Sequence, residues 1–329
     1  MAEKKGNQVL ESTRFLIESP KHVFINKEKL EETAKRLANE ELKIPNWNMP
    51  TLLEGKTNEV IDFFFLGNTI NFAYVDFKTK EKFAVEYQGK TWIGAMAMWA
   101  CLKKAYETEF PYLLEGGFLQ DISVWEFEDI FKGSIRIPLF EERLAIFREV
   151  GEVLCNQYDG YFHNLVEESN QRLFDNGKGI VERLTKDFPS FDDSAQYEDR
   201  IVRFDKRAQL APGTLYGRFR NQGEFVVQDI DELTVFADYS VPKTLRGLEI
   251  LVYEKSLAEK VDNQILIPKH SLEELEIRAS TIHASQMLID RINEIKGQKA
   301  VNALHIDYKL WWESRNFSAP HHLTYTTDY

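Results

Sequence analysis

Cysteine is scarce in this sequence, and positive charge is outweighed by negative charge. The 329 residues include only two cysteines, Cys101 and Cys155, so the chain has neither a disulfide framework nor paired thiolates for zinc. Both lie in predicted helices among apolar neighbours, and we expect both to be buried. Lys and Arg number 41 against 53 Asp and Glu, a formal net charge of -12. Because gripping duplex nucleic acid requires clustered positive charge, this balance disfavours that class of protein.

Long apolar runs, metal-ligand spacings and nucleotide-binding fingerprints are also missing. The longest nearly apolar run, residues 92–102, is well short of the ~20 residues that a membrane-spanning helix needs. The N-terminal residues lack the apolar core of a secretory signal, so we expect a cytoplasmic protein with no membrane partner. The seven histidines show no HExxH or comparable spacing, and no glycine-rich loop follows a predicted strand. We therefore expect neither a metal nor an organic cofactor.

Apolar residues recur mainly at spacings of three and four, which predicts a mainly α-helical, multi-helix globular fold. The 43% hydrophobic and 13% aromatic content is enough for a large core. No linker or repeat marks a boundary, so we expect a single domain over residues 1–329, with a loosely ordered segment over residues 1–20. The predicted helices cover residues 27–38, 141–154, 162–174, 179–188, 198–210, 242–253, 272–295 and 300–314.

One region departs from the helical pattern. Apolar and polar residues alternate in INFAYVDF (residues 70–77) and in EKFAVEYQ (residues 81–88), on either side of a short charged turn, which predicts a small β-hairpin. The following helix is apolar on most of its circumference, so its large side chains are expected in the core. These side chains are Trp92, Met96, Met98 and Trp99.

The scattered glycines of residues 213–225 predict a loop in that segment.

The segment FADYSVP, residues 236–242, places Asp238 between two aromatic residues just before a predicted helix. Ser240 is a candidate N-cap and Pro242 suits the first helical position, so backbone N–H groups would point toward the Asp238 carboxylate. The helix dipole favours an anion there, while the apolar neighbours exclude water. Such a carboxylate can stabilise a cationic transition state. A local capping or turn-forming role for Asp238 is the commoner explanation of these residues taken alone.

A second candidate constellation lies in HIDYKLWWES, residues 305–314. On the predicted helix, Asp307 precedes Trp311 by four residues and Tyr308 precedes Trp312 by four, so two adjacent stripes form. Their rings can stack on a flat ligand while the carboxylate accepts its donors or a positive charge. Inward packing of Trp311, with a solvated or salt-bridged Asp307, is an equally open alternative.

Basic residues cluster in RIVRFDKRAQL, residues 200–210. Arg203, Lys206 and Arg207 have helical spacing, and Arg218 and Arg220 follow in the predicted loop. Some of these side chains can hold a phosphate monoester. A solvated basic face among acidic neighbours is the commoner explanation of such a run.

Several of these motifs together resemble, in order and spacing, the queuosine salvage family of queuosine 5'-phosphate N-glycosylases. The resemblance covers essentially the whole chain after its first few residues, and FADY and DYxLW are its signature elements. The matching segments are NTINFAY (68–74), YQGKTWIG (87–94), IPLFEERLAIF (137–147), FDKRAQ (204–209), LTVFADYSVP (233–242), EIRAS (276–280) and IDYKLWW (306–312).

The resemblance implies a mostly α-helical hydrolase whose helical core is similar to that of DNA glycosylases. Such an enzyme cleaves the N-glycosidic bond of queuosine 5'-phosphate and releases the base queuine for reuse in tRNA modification. The implied partner is this small molecule, and queuosine is a second candidate substrate. We expect no stable nucleic-acid complex and no obligate protein partner.

Carried over residue by residue, the resemblance makes Asp238 the catalytic carboxylate. Some members of the family carry an acidic residue where this chain has Trp312, so stacking is the expected role of this side chain. Lys206 or Arg207 is the candidate for holding the 5'-phosphate. The implied substrate-lining residues are Phe236, Asp307, Tyr308 and Trp312.

Two other functions stay open at this point. A base-excision glycosylase acting on nucleic acid would share the helical core and the lone aspartate, but the acidic net charge weighs against it. A non-enzymatic queuine carrier would keep the aromatic cleft and Asp307, yet it has no need of a shielded carboxylate at Asp238.

Overall fold

The computed structural model describes residues 7–220 and 222–329. Helices dominate the described residues, and the strands form only three antiparallel pairs, β1 with β6, β2 with β3 and β4 with β5. The predicted mainly α fold is thus confirmed. The helices are α1 Val9–Glu18, α2 Lys27–Ala38, α3 Thr57–Thr69, α4 Ala95–Thr108, α5 Gly116–Asp121, α6 Val124–Ile130, α7 Phe140–Gln157, α8 Phe162–Glu168, α9 Ile180–Asp187, α10 Lys206–Phe219, α11 Ser240–Gly247, α12 Lys255–Asp262, α13 Leu272–Lys296 and α14 Ala303–Glu313. The strands are β1 Val23–Ile25, β2 Ala84–Tyr87, β3 Lys90–Ile93, β4 Ser194–Tyr197, β5 Arg200–Arg203 and β6 Leu251–Tyr253.

The chain divides into two compact units, each made of three chain segments. The first unit contains the residues up to 45, residues 193–209 and residues 229–325. The second unit contains residues 46–192, 210–228 and 326–329. A single functional domain over the whole chain stays a prediction, and each unit has its own packing.

Helix α13 organises the first unit. It begins at Ser271, whose hydroxyl accepts the N–H of Glu274, and ends at Gly297 in the left-handed conformation that glycine favours. Most of its side chains are buried, and it packs against α1, α2 and α14. Glu276 accepts the backbone N–H groups of the residues that lead into β1, at distances of 2.6–2.9 Å. This buried carboxylate therefore fixes where β1 starts.

Helices α3 and α4 carry the aromatic core of the second unit. The Trp99 ring lies 5.3 Å from the ring of Phe63 and 5.6 Å from that of Phe64. Trp92, Met98 and Trp99 are buried, which confirms the expected core packing of these three, while Met96 is half-buried. The prediction that Trp92 lies on the helix is wrong, because Trp92 belongs to β3 and α4 begins only at Ala95. A ring-packed interior of this kind leaves little room for added atoms.

The predicted hairpin forms in a different place. Residues 70–77 contribute only an isolated bridge from Val75 to Lys82, whereas β2 pairs with β3 across a turn at Gln88 and Gly89. Both turn residues have positive φ, 51° and 72°, as the two-residue hairpin turn requires. The backbone carbonyls of Ile70, Phe72 and Ala73 instead accept hydrogen bonds from the buried guanidinium of Arg143. A tertiary contact has thus overridden a local strand pattern.

Three helix predictions are wrong in part. Residues 198–210 form β5 and the first turn of α10, and α10 then continues through residues 213–219, where a loop was predicted. Residues 242–253 divide into α11 and β6, and α8 ends at Glu168 rather than near residue 174. The predictions for α2, α7, α9, α13 and α14 are confirmed within a few residues, and the Asn26 side chain caps α2 as predicted.

The N-terminal segment is helical over part of its length. Helix α1 occupies part of the stretch expected to be loosely ordered, and it buries Val9 and Leu16, while residues 1–6 lie outside the described residues. Cys101 is buried as expected, but Cys155 is exposed, so that expectation is wrong. Within the described residues, no helix is both long and apolar enough to span a membrane.

The close contact between α3 and α4 yields a stability prediction. A Cβ at Gly67 would lie 1.9 Å from the Trp99 ring, whereas a Cβ at Gly117 in α5 would meet nothing within 4 Å. We expect Gly67→Ala to lower the free energy of unfolding by about 1–3 kcal/mol, because the indole must move within a packed core. Gly117→Ala is the matched control and should leave stability unchanged or raise it by up to about 1 kcal/mol. Urea unfolding of both variants measures the difference, and equal stabilities would contradict the packing argument.

Candidate active site

The segment before α11 holds Asp238 in a defined position. The Oδ1 atom of Asp238 accepts the backbone N–H groups of Ser240 at 2.7 Å and Val241 at 3.0 Å. Helix α11 begins at Ser240, so the prediction of Ser240 as the N-cap is wrong by one residue, and Pro242 is the third helical residue instead of the first. Asp238 itself satisfies the N-terminal N–H groups, and its carboxylate lies at the positive end of the helix dipole. The same two hydrogen bonds therefore cap α11 and fix the position of the Asp238 carboxylate.

Tyr239 anchors the residue next to Asp238. Its hydroxyl donates to the carbonyl of Thr324 at 2.7 Å, and its ring lies 4.8 Å from that of His321 and 5.1 Å from that of His322. Burial lowers the pKa of His322 well below its ordinary value, so this imidazole is neutral. The adjacent histidines thus pack around Tyr239, and no group of three or more metal-ligating side chains occurs in the part of the chain that the structure describes.

Helix α14 brings Asp307 to the same segment. The Oδ1 atom of Asp307 accepts the backbone N–H of Phe236 at 2.8 Å. A second bond, from the Thr244 hydroxyl to the carbonyl of Leu310 at 2.7 Å, ties α11 to α14. Burial and the neighbouring charge of Asp238 raise the pKa of Asp307 to about 8, against the opposing effects of the Phe236 N–H and Lys206. Asp307 therefore carries a proton at neutral pH.

Lys206, the first residue of α10, completes the charged cluster. Its side chain is buried, with 5% of the residue exposed. Burial lowers the pKa of its ammonium group to about 8, although the charges of Asp238 and Asp307 oppose this shift. The expected solvated basic face is wrong for Lys206 and Arg207, because both are buried. Arg203, on β5 instead of a helix, is half-buried and pairs with Asp205 at 3.0 Å.

The aromatic residues of α14 form a surface beside this cluster. The Tyr308 ring lies 6.0 Å from that of Trp311 and 6.3 Å from that of Trp312. The guanidinium of Arg315 lies over both indoles, at 4.2 and 4.5 Å. Trp312 is 55% exposed, whereas Leu310 is fully buried, so Leu310 rather than the indoles forms the inward face. Trp312 is thus exposed to solvent, whereas Trp311 is half-buried, and the Arg315 guanidinium covers part of both rings.

All six predicted site residues belong to the first unit, and four of them lie close together. Asp238, Asp307 and Lys206 interact electrostatically, and Phe236 links the two aspartates through its backbone. Tyr308 neighbours Asp307 in sequence, and Trp312 lies at the outer end of the aromatic surface. The arrangement combines an anchored carboxylate, a protonated acid and an ammonium group, which can stabilise a developing cation and exchange protons.

Sequence reasoning missed two buried residues that touch this cluster, Asp193 and Arg278. Asp193 accepts the backbone N–H of Lys206 at 3.0 Å, and Arg278 donates to the carbonyl of Ala237. The sequence signal for Arg278 was its place in the EIRAS segment, one of the segments that carry the family resemblance.

Comparisons with known proteins agree with the sequence resemblance. Residues 52–329 match the family model described as queuosine salvage protein. Three curated relatives named queuosine 5'-phosphate N-glycosylase/hydrolase match almost end to end. The protein from Sphaerobacter thermophilus is 33% identical, over 98% of this chain and 97% of the relative. The Dictyostelium discoideum protein is 30% identical, over 98% of both chains, and the Mus musculus protein is 28% identical, over 92% and 91%.

The raised pKa of Asp307 predicts how stability depends on pH. Its folded-state value of about 8 lies above the ordinary 3.8, so the folded protein keeps a proton that the unfolded chain releases between these values. Stability from this group is therefore lost as the pH rises toward 8. We expect Asp307→Asn, which can still accept the Phe236 N–H, to gain stability over the wild type as the pH rises from 5 to 8, by at most about 1.4 kcal/mol per pH unit.

Urea unfolding of both proteins across this range measures the difference. Lys206, with its pKa lowered from 10.5 to about 8, acts in the opposite direction and only between these values, so it does not obscure the comparison. A stability difference that stays constant between pH 5 and 8 would contradict a protonated Asp307.

Proposed function

Because the chain belongs to the queuosine salvage protein family, we propose that it is a queuosine 5'-phosphate N-glycosylase that releases queuine by hydrolysis. The observation that carries this proposal is the nearly end-to-end match to relatives bearing that name. The released base would be available for reuse in tRNA modification.

The chemistry of the substrate explains why the enzyme needs a fixed negative charge. Queuine is a 7-deazaguanine, so carbon replaces the ring nitrogen that purine hydrolases often protonate to activate the leaving group. Catalysis must instead stabilise the oxocarbenium-like ribose that develops as the C1'–N9 bond stretches. A carboxylate close to C1', shielded from water, does this electrostatically or as a nucleophile.

Asp238 is our candidate for this carboxylate. Two backbone N–H groups hold its Oδ1 atom, so the charge is oriented before the substrate arrives. The adjacent Phe236 and Ala237 are buried, which keeps one side of the carboxylate dry and strengthens its interaction with a cation. Preorganisation of this kind costs no rearrangement during the reaction.

Asp307 and the aromatic surface are our candidates for recognising the base. Queuine carries a cyclopentenediol on a secondary amine that is protonated at neutral pH. An arriving cation would favour the ionised form of Asp307, so the ammonium of the ligand can replace the proton that the free carboxyl holds. Tyr308 and Trp312 would supply the stacking face, because cations and flat rings both bind well to aromatic side chains.

Lys206 is our candidate for binding the 5'-phosphate, because it is a buried cation in the same cluster as Asp238.

The enzyme would act in the cytoplasm, as one functional domain, on a free small molecule. It would need no metal, organic cofactor, stable nucleic-acid complex or obligate protein partner, and the net charge of -12 favours a small substrate over duplex nucleic acid.

Removing the charge of Asp238 should abolish turnover. Asp238→Asn keeps an oxygen that can accept the N–H groups of Ser240 and Val241, so the segment should keep its shape. We expect kcat for queuosine 5'-phosphate to fall by roughly a thousandfold while KM changes little, because the lost interaction forms mainly in the transition state. Mass spectrometry of released queuine measures the rate.

The matched control is Asp231→Asn, which makes the same change at an exposed aspartate that pairs with Lys299 at 2.8 Å. It should keep wild-type activity. Near-normal turnover by Asp238→Asn would remove Asp238 from catalysis. Base release by the wild type only from damaged duplex DNA would favour an excision glycosylase, and queuine binding without any hydrolysis would favour a carrier.

The assignment of Lys206 predicts a difference between two substrates. We expect Lys206→Ala to raise KM for queuosine 5'-phosphate at least tenfold more than KM for queuosine, since only the nucleotide has a phosphate for the ammonium group to hold, and one charge-assisted contact is worth roughly 1.5–3 kcal/mol. Steady-state kinetics on both substrates give the ratio. The nucleoside serves as an internal control for general damage, and equal effects on both would exclude Lys206 from the phosphate site.

A further inference from the structure

Arg278 carries a buried guanidinium group in the second turn of α13. Its side chain is 1% exposed, and that of its partner Asp193 is 4% exposed. The Nη1 and Nη2 atoms of Arg278 donate to the Oδ1 and Oδ2 atoms of Asp193 at 2.7 and 2.6 Å. This two-pronged geometry fixes the carboxylate in both position and orientation.

The oriented Asp193 side chain also binds the first residue of α10. Its Oδ2 atom accepts the backbone N–H of Lys206 at 3.0 Å, and its carbonyl accepts the N–H of Phe204 at 3.0 Å. The Phe204 ring lies 4.0 Å from the Arg278 guanidinium. The backbone that bears Lys206 is therefore held directly by the carboxylate that Arg278 orients.

The same guanidinium also binds the chain segment that leads into Asp238. The Nε atom of Arg278 donates to the carbonyl of Ala237 at 3.3 Å, one residue before Asp238. One rigid, planar group thus binds both Asp193 and Ala237, although these two residues lie 44 positions apart in sequence. Few other side chains can do this, because the guanidinium offers five donors in a fixed plane.

We propose that Arg278 and Asp193 are positioning residues that set the place of the Asp238 carboxylate relative to Lys206. This inference rests on the proposed function for its catalytic consequence, but the geometry that it describes does not. A buried ion pair is seldom required for stability, because apolar residues of similar volume often replace one at no cost. What an apolar replacement cannot provide is the pair of directed contacts to Lys206 and Ala237.

The test compares Arg278→Lys with a matched control on the same helix. Lysine keeps the charge but loses the planar fork, so the contacts to Asp193 and Ala237 cannot all be kept. We expect kcat to fall about a hundredfold, as for a small misplacement of reacting groups, while KM for queuosine 5'-phosphate changes less than threefold. The control is Glu276→Gln, since Glu276 is equally buried but binds the N–H groups before β1. It should lower Tm and keep kcat.

A second readout needs no substrate. Amide hydrogen exchange over residues 236–245 reports whether the N–H groups of Ser240 and Val241 remain bonded to Asp238. We expect exchange there to be at least tenfold faster in Arg278→Lys and unchanged in Glu276→Gln. If Arg278→Lys does not fold, Asp193→Asn gives the same comparison, since it weakens the fork while keeping the side-chain size.

The outcomes separate this inference from the proposed function. The positioning role would be overturned if Arg278→Lys kept the hydrogen-exchange rates and the kcat of the wild type. It would also be overturned if Arg278→Lys and Glu276→Gln had the same Tm and lost kcat equally. If the wild type fails to hydrolyse queuosine 5'-phosphate, the proposed function fails, and the exchange measurement alone decides whether Arg278 holds the Asp238 segment.

Discussion

A guanidinium group buried inside a helical unit must find acceptors for its donors, because an unpaired buried charge is costly. Arg278 meets this requirement with the carboxylate of Asp193, the carbonyl of Ala237 and the nearby carboxylate of Glu274. Two of these acceptors bear on the candidate active site, because Asp193 also binds the backbone N–H of Lys206 and Ala237 precedes Asp238. The requirement to satisfy one buried cation therefore also fixes where Asp238 and Lys206 can lie.

The charges that surround this contact depend on one another. Asp238 raises the pKa of Asp307, and the two carboxyl groups together oppose the effect of burial on Lys206. Neutral Asp307 keeps the free site from accumulating negative charge, while the N–H groups of Ser240 and Val241 hold the Oδ1 atom of Asp238 in place. A cationic ligand would find a negative charge in a partly buried environment, where electrostatic interactions are stronger than in water. The site is thus suited to cations without containing a metal-binding cluster in its described residues.

Local sequence signals predicted the elements whose stabilising contacts are themselves local. The Asn26 cap and the spacing of apolar residues were sufficient for α2, and the same spacing located α13 and α14. The hairpin prediction failed because Arg143, distant in sequence, binds three backbone carbonyls between residues 70 and 73 and keeps this stretch from pairing as a strand. The helix predicted over residues 198–210 failed because its first half pairs with β4, and helical spacing of basic residues does not reveal that pairing.

By itself, the sequence determined the mainly helical class and the family, because periodicity and ordered motifs are properties of the chain, and it supplied the candidates for the site residues. The tertiary structure alone decided that Asp238 caps its own helix, that Lys206 is buried rather than solvated, and that Asp307 holds a proton. It also introduced Asp193 and Arg278. The physical reason is that burial and electrostatic coupling depend on neighbours brought together by folding, and no spacing along the chain encodes those distances.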